Sequence, residues 1–124
     1  MANHTIYIRL KAGTQDQLEL SNDGSGWGEA TSFYTQVAKN DTVIWQLAEG
    51  SGIEELTGIE AKDGRWNLFP PNQPNDNNGK WQGKVKDVET GEDAYNILYS
   101  IGANKYVVDP ELGIKPPPPP PDEN

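Results

Sequence analysis

Apolar residues in this chain recur at every second position and scarcely anywhere at every third or fourth. In "HTIYIRLK" Ile6, Ile8 and Leu10 share one face while Thr5, Tyr7 and Arg9 share the other, the pattern of a half-buried strand. "QLEL" repeats it with Leu18 and Leu20, and "FYTQVA" reads as a further strand. "TVIWQLA" is apolar on both sides, Val43, Trp45 and Leu47 against Ile44, Gln46 and Ala48, which places it centrally in a sheet. "WQGKVKDV" sets Trp81, Gly83 and Val85 against Lys84 and Lys86. "DAYNILYSIGANKYVVDP" reads as two strands joined at Gly102, Ala103 and Asn104, with Tyr95, Ile97, Tyr99 and Ile101 on one face.

One stretch resists the period. In "EGSGIEELTGIEA" Ile53, Leu56 and Ile59 recur every three residues and would suit a helical turn; Gly58 and the β-branched residues favour a bent strand. Between Arg65 and Trp81 the prolines Pro70, Pro71 and Pro74 bar a helix and predict a long loop around a short extended piece. Seven to nine short strands separated by Gly, Asn, Asp and Pro predict an all-β chain: a single Greek-key β-sandwich, with a barrel as the alternative.

At 124 residues and 13.7 kDa the chain suits one domain, expected over residues 1–115. Residues 116–124 form a separate proline-rich acidic tail. Six consecutive prolines, Pro116 to Pro121, precede Asp122 and Glu123, and such a run favours a stiff polyproline II segment. It reads first as a spacer. The alternative is a ligand for an aromatic groove on a partner, although Lys115 is the only nearby cation where such ligands commonly carry an arginine.

Charge and composition exclude several functions. A net charge of −9 repels phosphates, so neither nucleic acid nor an anionic membrane is an expected partner. No cysteine is present, which removes disulfides, thiolate metal sites and cysteine nucleophiles. No apolar run approaches the roughly 20 residues of a membrane span. The start "MANHTIYIRLKAG" lacks a basic and then apolar leader pattern, so a cytoplasmic location is expected as written, and an exported one if the chain has been trimmed.

Catalytic sets are missing. His4 is the sole histidine and reads as an exposed side chain near the start of the first strand. Glu54 with Glu55, and Glu92 with Asp93, are adjacent along strands, point to opposite faces, and read as solvated rim charges. "SNDGSG" and "NQPNDNNG" are oxygen-rich, yet neither matches an EF-hand: the twelfth position holds Ser32 in one and Val85 in the other. No catalytic residue, metal or cofactor is therefore expected.

The aromatics carry more. Trp45 lies in an apolar strand and belongs to the core. Trp27, Trp66 and Trp81 lie in or beside polar loops with Asp23, Asn75, Asp76 and Asn77, offering flat apolar platforms beside hydrogen-bonding groups. These seven are the candidate binding residues, and loops 22–31 and 70–80 the expected recognition surface. Trp27 leads because Gly26 and Gly28 cannot cover it; the alternative for each indole is a plug at one end of the sandwich.

The segments "KNDTVIWQL" and "YNILYSIGANKYVVDPELGIKP" resemble cupredoxin-like β-sandwiches, in which a turn-Asp-Thr-Val-x-Trp strand is followed by a Tyr-x-x-x-Tyr strand, a short loop and a final edge strand. The resemblance covers roughly Phe33 to Pro116 and implies a two-sheet Greek key. It also implies a copper site whose histidine would follow the Trp45 strand, with cysteine, histidine and methionine around the last hairpin. Here Glu49-Gly50-Ser51 and Ser100 to Asn104 stand in those places, and the only methionine is Met1, so copper does not carry over. The chain is also similar to bacterial inclusion-body proteins of the AidA/PixA type through Asp41, Val43 and Trp45, then Tyr106, Asp109, Pro110 and Ile114. It departs from them at Asn40 and at Glu111-Leu112-Gly113. That likeness implies a non-enzymatic protein that self-associates or binds a ligand. The expectation is a metal-free cupredoxin-like binding or assembly module whose partner is a protein or a second copy. The alternative is a carbohydrate-binding, lectin-like domain, assisted by calcium in one variant. A third reading, a hydrolase using scattered carboxylates, would need two acids with raised pKa in one cleft.

Overall fold

Alternate burial along each strand builds two sheets around one shared apolar layer. The computed structural model describes residues 3–62, 64–70, 74–77 and 79–114, with the backbone alone at 77 and 111–114. Among the described residues eleven strands follow in chain order: β1 (Asn3–Leu10), β2 (Leu18–Ser21), β3 (Gly28–Glu29), β4 (Tyr34–Gln36), β5 (Thr42–Leu47), β6 (Glu55–Ala61), β7 (Asn75–Asn77), β8 (Lys80–Lys84), β9 (Gly91–Ile101), β10 (Asn104–Val108) and β11 (Glu111–Ile114). The protein is an all-β sandwich. The proline-rich segment 116–124 lies outside the described residues.

The first sheet runs β3-β2-β1-β5-β8-β7. β5 is central in it, parallel to β1 and antiparallel to β8, which explains why its sequence is apolar on both sides. In the second sheet β9 pairs with β6 along one edge and with β10 and then β11 along the other. The register does not slip between β10 and β11; Pro110 merely lacks an amide donor, and its carbonyl still accepts from Tyr95 N at 3.1 Å. β4 joins outside β11, in parallel. The ambiguous segment is indeed a bent strand: β6 shifts register between Leu56 and Gly58, so that Leu56 and Ile59 both face inward despite their odd spacing. The hairpin between β9 and β10 turns at Gly102, whose φ of 61° suits a residue without Cβ.

Trp45 sits at the centre, fully buried, and its indole N–H donates to the Tyr95 hydroxyl of the opposite sheet at 3.1 Å. Phe69 and Tyr95 meet it edge-on, at ring separations of 5.9 and 5.6 Å. Ile6, Ile8, Leu18, Leu20, Val43 and Ile97 complete the layer.

Three local expectations are corrected. The strand expected over "FYTQVA" is only Tyr34–Gln36, preceded by a 3-10 turn at Ala30–Ser32. His4 is a partnered side chain: its Nε2 lies 2.7 Å from Asp41 Oδ2, which also accepts from Ala38 N at 2.9 Å. Asp93 is no rim charge; it is buried, and its two oxygens accept from Asn67 N and Leu68 N at 2.8 and 2.9 Å. Asn67 and Leu68 have left any strand and need acceptors, and a buried carboxylate supplies both.

Two outcomes follow from this packing. Gly83 faces inward on β8, where a Cβ would lie 2.9 Å from Phe69 Cδ1 and 3.3 Å from Pro74 Cγ. Gly83→Ala should therefore cost about 1–3 kcal/mol in denaturant unfolding. Burial raises the Asp93 pKa, outweighing the opposing pull of the Asn67 and Leu68 amides and of Lys86. An acid whose folded pKa exceeds its unfolded value, about 3.9, loses stability as pH climbs between the two. Asp93→Asn should be less stable by about 1–3 kcal/mol, because an amide can accept from only one of the two donors. The gap from wild type should narrow from about pH 4 upward, read from urea midpoints at a series of pH values.

Candidate functional site

The loop between β2 and β3 winds around two side chains. Ser21 Oγ accepts from Asp23 N and Gly24 N at 3.2 and 2.8 Å and donates to Asp23 Oδ1 at 2.9 Å. The same Asp23 oxygen accepts from Ser25 N and Gly26 N, each at 2.9 Å. These donors hold the Asp23 carboxyl far below the usual carboxylate range, the Gly26 amide contributing most. Gly24, at φ 82°, rests 3.7 Å from the Tyr7 ring as measured from an added Cβ, so the loop lies over the outer face of β1.

That path delivers Trp27 onto Arg9. The guanidinium carbon stands 3.9 Å from the indole centroid, a cation–π contact of roughly 0.5–1 kcal/mol at such a site. Arg9 is itself tied to Glu19, both Nε and Nη2 reaching Oε1 at 2.9 Å. Lys11 pairs with Glu29 beside them. In the same face Tyr7 lies next to Gln46, and Thr5 next to Ile44, all half-buried. A half-buried indole is thus held over an arginine that is itself ion-paired, on the face of β1 that also carries Tyr7.

The other predicted residues lie elsewhere. Trp66 stands edge-on to Phe69 at 5.0 Å and 5.9 Å from Tyr95, partly buried against the core. Trp81 is opposite Trp45 in the β5–β8 register, and its N–H donates to Leu56 O of the facing sheet at 3.2 Å. Asn75 and Asp76 are exposed on edge strand β7, where Asp76 Oδ1 accepts from Gly79 N at 2.9 Å. The side chain of Asn77 lies outside the described residues.

Trp27 and Asp23 adjoin β3 at one edge of the six-stranded sheet, and β7 forms the other. The Trp27 indole itself stands over β1, three strand spacings or about 14 Å from β7, so it and the β7 residues are not neighbours on the sheet. Sequence reasoning did not pick out Arg9, Glu19 and Tyr7; the alternation in β1, which turns Tyr7 and Arg9 outward, is the signal that locates two of them.

No protein-family model matches the chain, and no curated protein sequence matches it. Among the described residues, no three His, Cys, Asp or Glu side chains form a group able to hold a metal ion. Nor is any helix among them long and apolar enough to cross a membrane.

The bonds from Ser25 N and Gly26 N to Asp23 are local and exposed, so removing Asp23 should loosen the loop without unfolding the sandwich. In Asp23→Ala, amide exchange at Ser25 and Gly26 should quicken at least about tenfold while core amides keep their protection. Equal acceleration throughout the chain would place Asp23 in the global fold instead.

Proposed function

We propose that the chain is a non-catalytic, metal-free, cupredoxin-like recognition or assembly module whose contact surface is the outer face of the six-stranded sheet around Trp27. The observation carrying this reading is the Trp27 indole, held half-buried over Arg9 by a loop pinned to its own Asp23. Such an aromatic anchor is ordered before any partner arrives, so little side-chain entropy is lost on contact. The cupredoxin-like element of the reading draws on the two-sheet sandwich, on the parallel β1–β5 pair and on the closing β9–β10 hairpin, together with the sequence resemblance.

The non-catalytic element draws on how the carboxylates are used. Asp93 holds two main-chain amides, Asp41 holds His4 and Ala38 N, and Asp23 holds its own loop. Acids occupied in this way are poor proton carriers for a hydrolase. A protein partner or a second copy is the first reading of what the face meets. A glycan is the second, favoured by an indole platform with the Glu19 carboxylate held near it through Arg9.

Trp27→Ala separates these readings. Capture of a soluble partner and binding on a glycan array, run in parallel with wild type, should both report a loss of about tenfold or more in whichever arm is positive. The melting temperature should fall by only a few degrees, because about 1 kcal/mol of contact is lost. A fall well beyond that would mark Trp27 as a structural plug and overturn the assignment.

A further inference from the structure

The second sheet, facing the one that carries Trp27, has an open side of its own. Among the described residues β10 pairs with β9 alone, and β4 fills the neighbouring slot only from Tyr34, opposite Glu111. The hairpin fixes which main-chain groups look out on that side. In an antiparallel pair, bonded and non-bonded residue pairs alternate. Tyr95 N donates to Pro110 O at 3.1 Å, so bonding recurs at Ile97–Val108, Tyr99–Tyr106 and Ile101–Asn104, where the short turn closes. Ser100, opposite Lys105, fits this alternation: its carbonyl turns the other way and accepts from Glu54 N at 3.0 Å. The amides and carbonyls of Lys105, Val107 and Asp109 therefore point away from β9.

The side chains of these residues share the outer face of the sheet, since Val108 between them is buried in the core. Val107 is 57% exposed, the one exposed large apolar side chain among the described residues. Lys105 is exposed and, among those residues, in no ion pair. Asp109 is half-buried and holds Lys62 through Oδ2 at 2.9 Å. An unpaired edge carrying an exposed apolar side chain is a template for a further strand. The order of its residues says which strand fits. Lys105 precedes Val107 by the same interval at which Asp109 follows it, so the edge is complementary to itself.

A lysine alone on an edge wards off a second strand. Here an antiparallel copy centred on Val107 sets each Lys105 opposite Asp109 of the other copy, and Val107 against Val107; directly opposed side chains lie on one face and interact. Centring on Tyr106 would set lysine against valine, and centring on Val108 would need the slot beside Glu111 that β4 already holds. We infer that the open side of β10 is a self-association surface: two copies pair antiparallel through Lys105–Asp109 and join their second sheets into one. The outward groups of Lys105, Val107 and Asp109 then exchange main-chain bonds with Asp109, Val107 and Lys105 of the other copy. Pro110, with no amide and its carbonyl turned to Tyr95, ends the ladder. The same patch serves both copies, so the contact closes as a two-fold dimer. It shares no residue with the Trp27 face, and neither assignment depends on the other.

Sedimentation equilibrium of the full chain, from low micromolar to several hundred micromolar, tests this together with amide exchange. Wild type should dimerise, and the Val107 amide should exchange more slowly as concentration rises. Val107→Pro removes an amide that points outward, so it spares the β9–β10 ladder and should weaken the dimer about tenfold or more. Lys105→Glu and, separately, Asp109→Lys should each weaken it about fivefold or more by opposing like charges. Their equimolar mixture should recover it, because an acidic edge then meets a basic one. Circular dichroism melts check that the variants fold, each change lying on the outer face of the edge. A wild type monomeric throughout, a dimer indifferent to Val107→Pro, or a mixture no tighter than either variant alone would each overturn the inference. A dimer lost in Trp27→Ala but kept in Val107→Pro would put self-association on the other sheet and equally overturn it. So would a monomer whose Val107 amide is protected at every concentration, its edge being covered from within the molecule.

Discussion

One hydrogen bond crosses the middle of this protein, from the Trp45 indole to the Tyr95 hydroxyl, and the packing of both sheets is arranged around it. An indole at that depth must find an acceptor, since an unpaired buried N–H costs about 1–3 kcal/mol. Meeting that need fixes β5 against β9, and the rings of Phe69 and Trp66 then stack outward from the pair toward one end of the sandwich. Trp81 performs a similar crossing nearer the edge, through Leu56 O. Trp45 is wholly buried, whereas Trp27, Trp66 and Trp81 are each half-buried.

A protein with almost no helix must satisfy many loop amides by other means, and here aspartates take that part. Asp93 anchors the turn before Phe69, Asp41 the turn before β5, and Asp23 the loop before β3. Each carboxylate holds its loop in a single shape, and the price is chemical freedom. What remains for the proposed function is surface, above all one pinned indole over an arginine.

Much of this was legible in the sequence, for a definite reason. A strand with one buried face must alternate, so Ile6 and Ile8, Leu18 and Leu20, and Tyr95, Ile97 and Tyr99 announce their sides directly. The two-residue β3 and the 3-10 turn at Ala30–Ser32 are too short to show any period. The neighbours of Trp66 and Trp81 are polar in sequence, but their indoles pack on Phe69, Tyr95 and Leu56, residues brought near only by tertiary pairing. The same limit hid the separation of the two polar loops. It depends on β1 lying parallel to β5, a pairing between strands that are not consecutive and that leave no local mark. His4 and Asp41, 37 residues apart, meet across that same pairing.

The central claim is a division of labour among the indoles: Trp45 and Trp81 hold the sheets together, and Trp27 is proposed to meet a partner. Hydrogen exchange of the four indole N–H groups, resolved by nuclear magnetic resonance, measures it directly. The account predicts that Trp45 exchanges slowest, only through global opening, that Trp81 is intermediate, and that Trp27 exchanges freely. A Trp27 indole as protected as that of Trp45 would contradict it.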